Sequence, residues 1–389
     1  MRIRYVLNNA YGAGGTIRTV INQANALCAE HDVEIASVLQ TRAQPVFAID
    51  PRVNLVSLTG LRDDGSRFTD PPGGNSRFWR KTRRLRNFLP HGRDYRFKRF
   101  DPMLDLAVIR YFRRERDGVL ITTRPGLNLL AAWGAPRRLI RIGQDHMNLG
   151  TYRPRLRKEL VRGYPRLDAV AVLTQHDLAD WRAALGDRVR LEQVPNGIPP
   201  AAEPGSSPDA KVVVAAGRFS RQKGFDLLVE AWAAVHAKHP EWRLAIFGNG
   251  PDREKLIARA EELEMSDSVR MPGITRKLDQ ELAAASIYVL SSRFEGLPMV
   301  LLEAMTQGLP AVAYDCPTGP REVIEDGVNG RLVPPEDVDA LAAALCELIE
   351  DPERLRAMGA AALTSSEPFS MPSVSAHWER FFAELAKDR

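Results

Sequence analysis

Short apolar segments alternate with turns and helix-like patterns along the whole of this 389-residue chain. In the first half, strands are predicted at 3–7, 33–38, 120–122, 139–142 and 169–173. The alternation restarts in the second half, with strands predicted at 212–215, 244–247, 269–271, 287–290 and 311–313. Strands that stay apolar at successive positions are typical of parallel sheets covered by helices on both faces. The sequence therefore predicts an α/β protein with two doubly wound parallel sheets.

A proline-rich segment separates the two alternating halves. Residues 195–208 contain five prolines together with glycine and serine, a composition that removes ladder donors and loosens the backbone. We therefore predict a first domain over 1–195, a linker or hinge over 196–210 and a second domain over 211–370. The two Rossmann-like domains are expected to face each other across a central cleft.

Several classes of protein are disfavoured by composition. No apolar run approaches the roughly 18 residues that a membrane span needs, and the apolar start is too short for a signal peptide. A cytoplasmic location is therefore expected. Cys28, Cys316 and Cys346 are odd in number and far apart, which argues against a disulfide framework and against a CxxC-type zinc or redox site. All three are expected to be free thiols.

Charge is distributed unevenly along the chain. Residues 1–195 carry 34 basic and 19 acidic side chains, whereas the remainder carries 20 basic and 30 acidic ones. A basic block, residues 77–99, has ten Arg and Lys against one Asp, with five aromatic residues interleaved. Such a block attracts anions.

One candidate site segment, 291–305, follows a predicted strand and opens a helix at about Pro298. Glu295 is thereby placed in a loop at the carboxyl end of a strand, where open α/β sheets bind their ligands. Glu303 falls about a turn and a half into the helix. Composition alone favours a partly exposed helix acid at this position, and a carboxylate that binds ligand hydroxyls is the functional alternative.

A second candidate segment, 215–226, also joins a strand end to a helix start. Arg218 and Lys223 beside free backbone N–H groups would form an anion site suited to a diphosphate. Two solvated basic residues on a connection are the alternative, and the order Gly-Lys-Ser/Thr of a P-loop is missing. A third strand end, 247–251, contains glycines that would let the backbone approach a ligand.

Together these residues resemble a known family. Arg218 with Lys223, and Glu295 with Glu303 in a Glu-x7-Glu spacing, are similar to the donor site of retaining glycosyltransferases of the family 4 type, which have the GT-B fold. Further segments stand in the family's order, and these are 12–16, 194–198, 308–312 and 325–330. The resemblance also implies that residues 371–389 form a helix packing back on the first domain.

The resemblance implies a role for each matching residue. Arg218 and Lys223 would neutralise a nucleotide diphosphate, Glu303 would bind the ribose, and Glu295 would bind the donor sugar. His146 aligns with a histidine near the transferred sugar, although a loop histidine with satisfied hydrogen bonds is the alternative. The remaining residues implied at the donor are Gly15, Gly250, Phe294, Gly296, Leu297, Pro298 and Thr318.

The implied reaction is retaining transfer of a hexosyl unit from a nucleotide-sugar, with uracil the expected base by family habit. Fixed cations and helix N-termini would stabilise the charge on the departing diphosphate, so no metal cofactor is expected. The motif Asp337-x-Asp339 precedes a helical pattern and is predicted to cap it rather than to bind a metal. The family's Glu-Arg pair after the glycine loop is incomplete here, since only Arg18 is present.

Within this family the basic block would lie in the acceptor domain and has three interpretations. It contacts the anionic inner face of the plasma membrane, it binds an anionic or lipid-linked acceptor, or it is a solvated insertion. Nucleic-acid binding is disfavoured because no recognition motif accompanies the charge. Two other function classes stay open, a nucleotide-sugar epimerase that needs no acceptor and a noncatalytic anion-binding module.

Overall fold

The computed structural model describes residues 1–60, 102–201 and 205–389. The described chain forms two compact units, of which the first contains Met1–Gly197 and Met371–Arg389 and the second contains Ile198–Ser370. The basic block lies outside the described residues.

The first unit contains a seven-stranded sheet in which every pairing is parallel. Its strand order is β3-β2-β1-β4-β5-β6-β7. The strands are β1 (Arg2–Asn9), β2 (Asp32–Leu39), β3 (Asn54–Ser57), β4 (Val119–Thr122), β5 (Ile140–Gln144), β6 (Ala169–Val172) and β7 (Arg190–Gln193). The helices are α1 (Gly15–Leu27), α2 (Pro102–Arg114), α3 (Pro125–Gly134), α4 (Pro154–Gly163), α5 (Gln175–Leu185) and, at the end of the chain, α12 (Met371–Lys387).

Alternate residues of the central strands build a core on each face of this sheet. Val6 of β1 packs with helices α2 to α5 on one face, whereas Ile3 and Tyr5 pack with α1 and α12 on the other. Helix α12 contributes an apolar stripe at helical spacing, namely Met371, Val374, Trp378, Phe381, Phe382 and Leu385. The terminal helix therefore completes the core of the first unit.

The second unit contains a six-stranded parallel sheet in the order β10-β9-β8-β11-β12-β13. Its strands are β8 (Val212–Ala216), β9 (Arg243–Phe247), β10 (Val269–Gly273), β11 (Ile287–Leu290), β12 (Ala311–Tyr314) and β13 (Gly330–Val333). Its helices are α6 (Phe225–Lys238), α7 (Arg253–Glu262), α8 (Leu278–Ala283), α9 (Met299–Thr306), α10 (Val338–Glu350) and α11 (Pro352–Ser365). Both sheets are of the doubly wound Rossmann type, which confirms the predicted fold class.

The structure also bears on several smaller predictions about helix ends, the cysteines and membrane-spanning helices. Asp337 caps α10, because its carboxylate accepts a hydrogen bond from the Ala340 N–H at 2.9 Å. The three cysteines are free and buried. Helix α9 begins at Met299 rather than at Pro298, which is its N-cap residue. Among the helices of the described chain, none combines the length and apolar character of a membrane-spanning segment.

Candidate functional site

Each sheet has a point where the strand order reverses, and such points are where open α/β sheets bind ligands. In the second unit the reversal lies between β8 and β11, which are adjacent in the sheet. The loop after β8 carries Arg218 and Lys223, and the loop after β11 carries Phe294 and Glu295. Four of the predicted site residues therefore follow two neighbouring strands at their carboxyl ends.

Lys223 and Glu295 form an ion pair at this edge of the sheet. The Lys223 Nζ donates to Glu295 Oε1 at 2.7 Å, and the side chains are only 19% and 8% exposed. The Ser292 hydroxyl donates to the same carboxylate oxygen at 2.6 Å. Since the Glu295 carboxylate balances the Lys223 ammonium, the pair forms a nearly neutral hydrogen-bonding centre. Among the described residues, the other carboxylate oxygen and the other ammonium protons have no side-chain partner.

The two loops are fixed to one another by contacts outside this pair. The Arg293 guanidinium donates to both Asp226 oxygens at 2.8 and 2.7 Å and to Glu336 at 2.8 Å. The Gln222 side-chain amide donates to the Phe294 carbonyl at 3.1 Å. The Lys223–Glu295 pair is therefore held on a rigid support, which is what a preorganised binding site requires.

Arg218 differs from Lys223 in its surroundings. Its side chain is exposed, and within the described part of the chain no carboxylate lies within ion-pair distance of it. Phe294 is also exposed, by 42%. Arg218 is therefore available for an external anion.

Glu303 is buried on α9, with 8% of its surface exposed, which excludes the alternative of a partly exposed helix acid. Burial raises the pKa of Tyr288 on β11 well above its usual value, and the charges of Glu295 and Glu303 add to this effect. Leu297 and Pro298 are buried beside them at the start of α9, and Gly296 is half-buried.

The loop after β12 adds Thr318 to this edge. The Glu295 N–H donates to the Pro317 carbonyl at 2.8 Å, and the Thr318 N–H donates back to the Glu295 carbonyl at 3.1 Å. A reciprocal backbone pair of this kind fixes Thr318 beside the ion pair.

Gly250, in the loop after β9, is required by close packing. A Cβ at this position would lie 2.1 Å from the Phe219 carbonyl oxygen. The Phe219 N–H donates to the Asn249 carbonyl at 3.0 Å, so the loops after β8 and β9 run in direct contact. The glycine therefore permits the backbone arrangement around Arg218.

Gly15 and His146 belong to the first unit, where they line a cavity of about 280 Å³. The cavity lies at the reversal between β1 and β4, and the first residues of α1 and α3 also line it. Among the described residues, the buried His146 Nε2 has no hydrogen-bond partner. Burial and the nearby Arg124 charge lower the pKa of His146 to about 3, so the imidazole is neutral at physiological pH. The alternative of a fully satisfied loop histidine is therefore not supported.

Asp145, which precedes His146, is buried and was not predicted as a site residue. It accepts hydrogen bonds from the Tyr152 hydroxyl and, at 3.0 Å, from the Tyr164 hydroxyl. Burial raises the pKa of Asp145 to about 7. A titratable carboxyl thus lies next to a neutral imidazole on the wall of this cavity.

The two neighbours predict opposite effects of pH on stability. Folded Asp145 holds its proton between pH 3.8 and about 7, where the unfolded carboxyl has lost it, so the free energy of unfolding falls as pH rises. His146 is unprotonated when folded but protonated when unfolded between pH 3 and 6.5, so its contribution rises with pH. Urea unfolding between pH 4.5 and 6.5 should show stability rising more steeply with pH in Asp145→Asn than in the wild type. In His146→Gln the slope should change in the opposite direction, and parallel curves for all three proteins would contradict these assignments.

Sequence reasoning missed the residues that support the site. Ser292 and Arg293 lie inside the segment already singled out, but their partners are Glu295, Asp226 and Glu336 in the folded chain. For Ser292, the signal available in the sequence was its position three residues before the loop residue Glu295. No comparable signal marked Asp145, since its two tyrosine partners follow it by 7 and 19 residues.

The chain is similar to several known proteins. Residues 201–364 match the family model described as glycosyl transferases group 1. An exopolysaccharide phosphotransferase of Streptomyces coelicolor is 36% identical over 100% of this chain and 41% of its own length. An uncharacterized glycosyltransferase of Haemophilus influenzae is 26% identical over 97% of this chain and 99% of its own length.

Two further similarities bear on ligands and fold. A GDP-mannose-dependent alpha-(1-6)-phosphatidylinositol monomannoside mannosyltransferase of Mycolicibacterium smegmatis is 30% identical over 60% of this chain and 67% of its own length. A mutant of S. aureus TarM, solved with fondaparinux, alpha-GlcNAc-glycerol and UDP, superposes with a TM-score of 0.77 at 14% identity. That alignment covers 98% of this chain and 99% of TarM, and at this identity it concerns the fold alone. The chain spans about two fifths of the length of its Streptomyces relative.

Proposed function

The chain belongs to the glycosyl transferases group 1, and we propose that it moves a hexosyl unit from a nucleotide-sugar to a hydroxyl acceptor with retention of anomeric configuration. The observation that carries this proposal is the largely buried Lys223–Glu295 pair beside the exposed Arg218 at the switch point of the second unit. Cations and a carboxylate at the carboxyl-terminal edge of one sheet suit a ligand that has both phosphates and hydroxyls.

Each part of the donor has a matching group in the second unit. Arg218 and the remaining Lys223 protons bind the diphosphate, and Glu295 binds the sugar hydroxyls through its unused oxygen. Glu303 binds the ribose, and the backbone at Gly296 to Pro298 together with Thr318 completes the site. Because two cationic side chains are available for the departing diphosphate, the proposed reaction needs no metal cofactor.

The acceptor is proposed to bind the first unit, at the cavity that contains His146. The neutral His146 imidazole, whose buried Nε2 has no hydrogen-bond partner in the described part of the chain, can accept a hydrogen bond from a sugar or acceptor hydroxyl. We propose a cell-envelope glycan precursor as the acceptor class, either lipid-linked or anionic. Its delivery at the inner face of the plasma membrane by the basic block is part of the same proposal.

The name of the Streptomyces relative supplies a competing reaction. Transfer of a hexosyl unit breaks the bond between the sugar and the diphosphate, so nucleoside diphosphate is released. Transfer of a sugar phosphate would instead break the bond between the two phosphates and release nucleoside monophosphate. The nucleotide product therefore distinguishes the two reactions.

The test incubates the full chain with UDP-, GDP-, ADP- and dTDP-sugars and a cell-envelope extract, and identifies the nucleotide by chromatography. We expect the diphosphate, an alpha-anomeric product from an alpha-linked donor, and loss of turnover in Glu295→Gln. Glu261→Gln, an exposed change on α7, is the matched control and should retain full turnover. Release of the monophosphate, or turnover that is unaffected by Glu295→Gln, would overturn the proposal.

A further inference from the structure

A cluster of three metal-ligating side chains lies in the second unit, away from the donor site. Cys346 and Glu350 are four residues apart on α10 and so project from the same face of the helix. His239 directly follows α6, which packs against α10 in the core of the unit. The thiol sulfur, an imidazole nitrogen and a carboxylate oxygen all lie within 4.8 Å of one another.

The backbone fixes the histidine in this position. The His239 N–H donates to the Val235 carbonyl at 2.9 Å, and the His239 carbonyl accepts from the Trp242 N–H at 3.0 Å. The His239 Nε2 lies 3.1 Å from Glu350 Oε1. Cys346 is buried, whereas the Glu350 side chain is 56% exposed, so the cluster has one face toward solvent. An ion can therefore approach the cluster from the side of Glu350.

We propose that His239, Cys346 and Glu350 form a binding site for a thiophilic divalent cation of the zinc class. Zinc bonds of about 2.0–2.3 Å in a tetrahedral arrangement place neighbouring ligand atoms about 3.3–3.7 Å apart. The His239–Glu350 separation of 3.1 Å is a few tenths of an ångström shorter than this spacing, and closing the 4.8 Å limit needs a movement of about 1 Å. Solvent would supply the fourth ligand.

The ligand types select the ion. A thiolate and an imidazole favour zinc or cobalt, whereas calcium and magnesium need several oxygen ligands and find only one carboxylate here. Each helix also presents its carboxyl end, since His239 is the C-cap of α6 and Glu350 is the last residue of α10. The negative ends of two helix dipoles favour a cation.

The site is separate from the proposed transfer reaction. Helix α6 starts two residues after Lys223 and its 14 residues span about 21 Å, so the cluster lies at the far end of that helix. A bound ion would connect the carboxyl ends of α6 and α10. The role of the ion is to stabilise the second unit. If no ion binds at this cluster, the proposed donor site is unaffected.

The test titrates the metal-free full chain with Co²⁺ and follows the thiolate-to-cobalt charge-transfer band, then displaces Co²⁺ with Zn²⁺. One equivalent is expected to bind, with the band abolished in Cys346→Ser and binding at least about tenfold weaker in Glu350→Gln. Glu350→Gln changes an exposed side chain, so loss of fold does not explain its effect, and Cys28→Ser is the buried-thiol control. Absence of a band in the wild type, or the same band in Cys346→Ser, would show that the cluster is only a His–Glu ion pair.

Discussion

Replacing Lys223 with methionine is expected to lower kcat/KM for donor turnover by about 10²–10³, the loss typical when one group that stabilises transition-state charge is removed. Among the described residues, the same change leaves the buried Glu295 carboxylate with Ser292 as its remaining side-chain hydrogen-bond donor. We therefore expect the free energy of unfolding to fall by about 2–3 kcal/mol, below the value for a fully buried pair because Lys223 is partly exposed. Urea unfolding and initial rates measure the two effects separately.

The double variant Lys223→Met with Glu295→Gln separates stability from function. Its neutral amide needs no counter-charge and still accepts from the Ser292 hydroxyl, so most of the lost stability should return. Turnover should not return, because the diphosphate has lost a cation and the sugar has lost a carboxylate. A double variant as unstable as Lys223→Met would show that the unpaired Glu295 charge is not the cause of the lost stability. Wild-type turnover in Lys223→Met would exclude a role for the ammonium.

The second large effect is expected for Gly319→Ala. A Cβ at Gly319 would lie 1.7 Å from the Gly296 carbonyl oxygen and 2.6 Å from the Pro298 Cδ. The loop after β12 must therefore move away from the start of α9. This movement displaces Thr318 from Glu295. The backbone segments at these two residues are joined by hydrogen bonds. We expect a loss of more than about 3 kcal/mol in the free energy of unfolding.

Donor binding should weaken about a hundredfold in the same variant, because misplacing binding groups by about 1 Å has costs of that order. Gly205→Ala is the matched control, since a Cβ there meets no atom of the described residues within 4 Å. It should change stability by less than about 0.5 kcal/mol. Chemical denaturation and calorimetric titration with the preferred nucleotide measure both effects. Equal behaviour of Gly319→Ala and Gly205→Ala would contradict the packing argument.

The apolar pattern predicted the interior strands but not most of the sheet edges. The strands that it missed are β3, β7 and β13, and each is the last strand at one edge of its sheet. Strand β7 has the sequence Arg-Leu-Glu-Gln and is half-buried at all four positions. An edge strand has one neighbour and tolerates charged residues, so no apolar run marks it. The edge strand β10 was found because Val269 and Met271 alternate with exposed neighbours.

The positions of the main candidate residues at strand ends could be predicted, but the contacts between them could not. The spacing and the family resemblance placed Lys223 and Glu295 at strand ends. They predicted that Lys223 binds the diphosphate and that Glu295 binds the donor sugar. The structure pairs them across 72 positions of sequence, which makes each the counter-charge of the other. Arg218 then remains an exposed cation at the site. Such pairing depends on which strands are neighbours in the sheet, and the order of segments along the chain does not determine it.

Calorimetric titration of the full chain with UDP, GDP, ADP and dTDP tests the central claim, that the second unit binds a nucleoside diphosphate at Arg218 and the Lys223–Glu295 pair. The predicted result is preferential binding of one nucleotide, weakened at least about tenfold in Arg218→Ala. Arg270→Ala removes an exposed arginine on β10 and should leave the affinity unchanged. Failure of all four nucleotides to bind, or equal affinity in wild type and Arg218→Ala, would contradict the account.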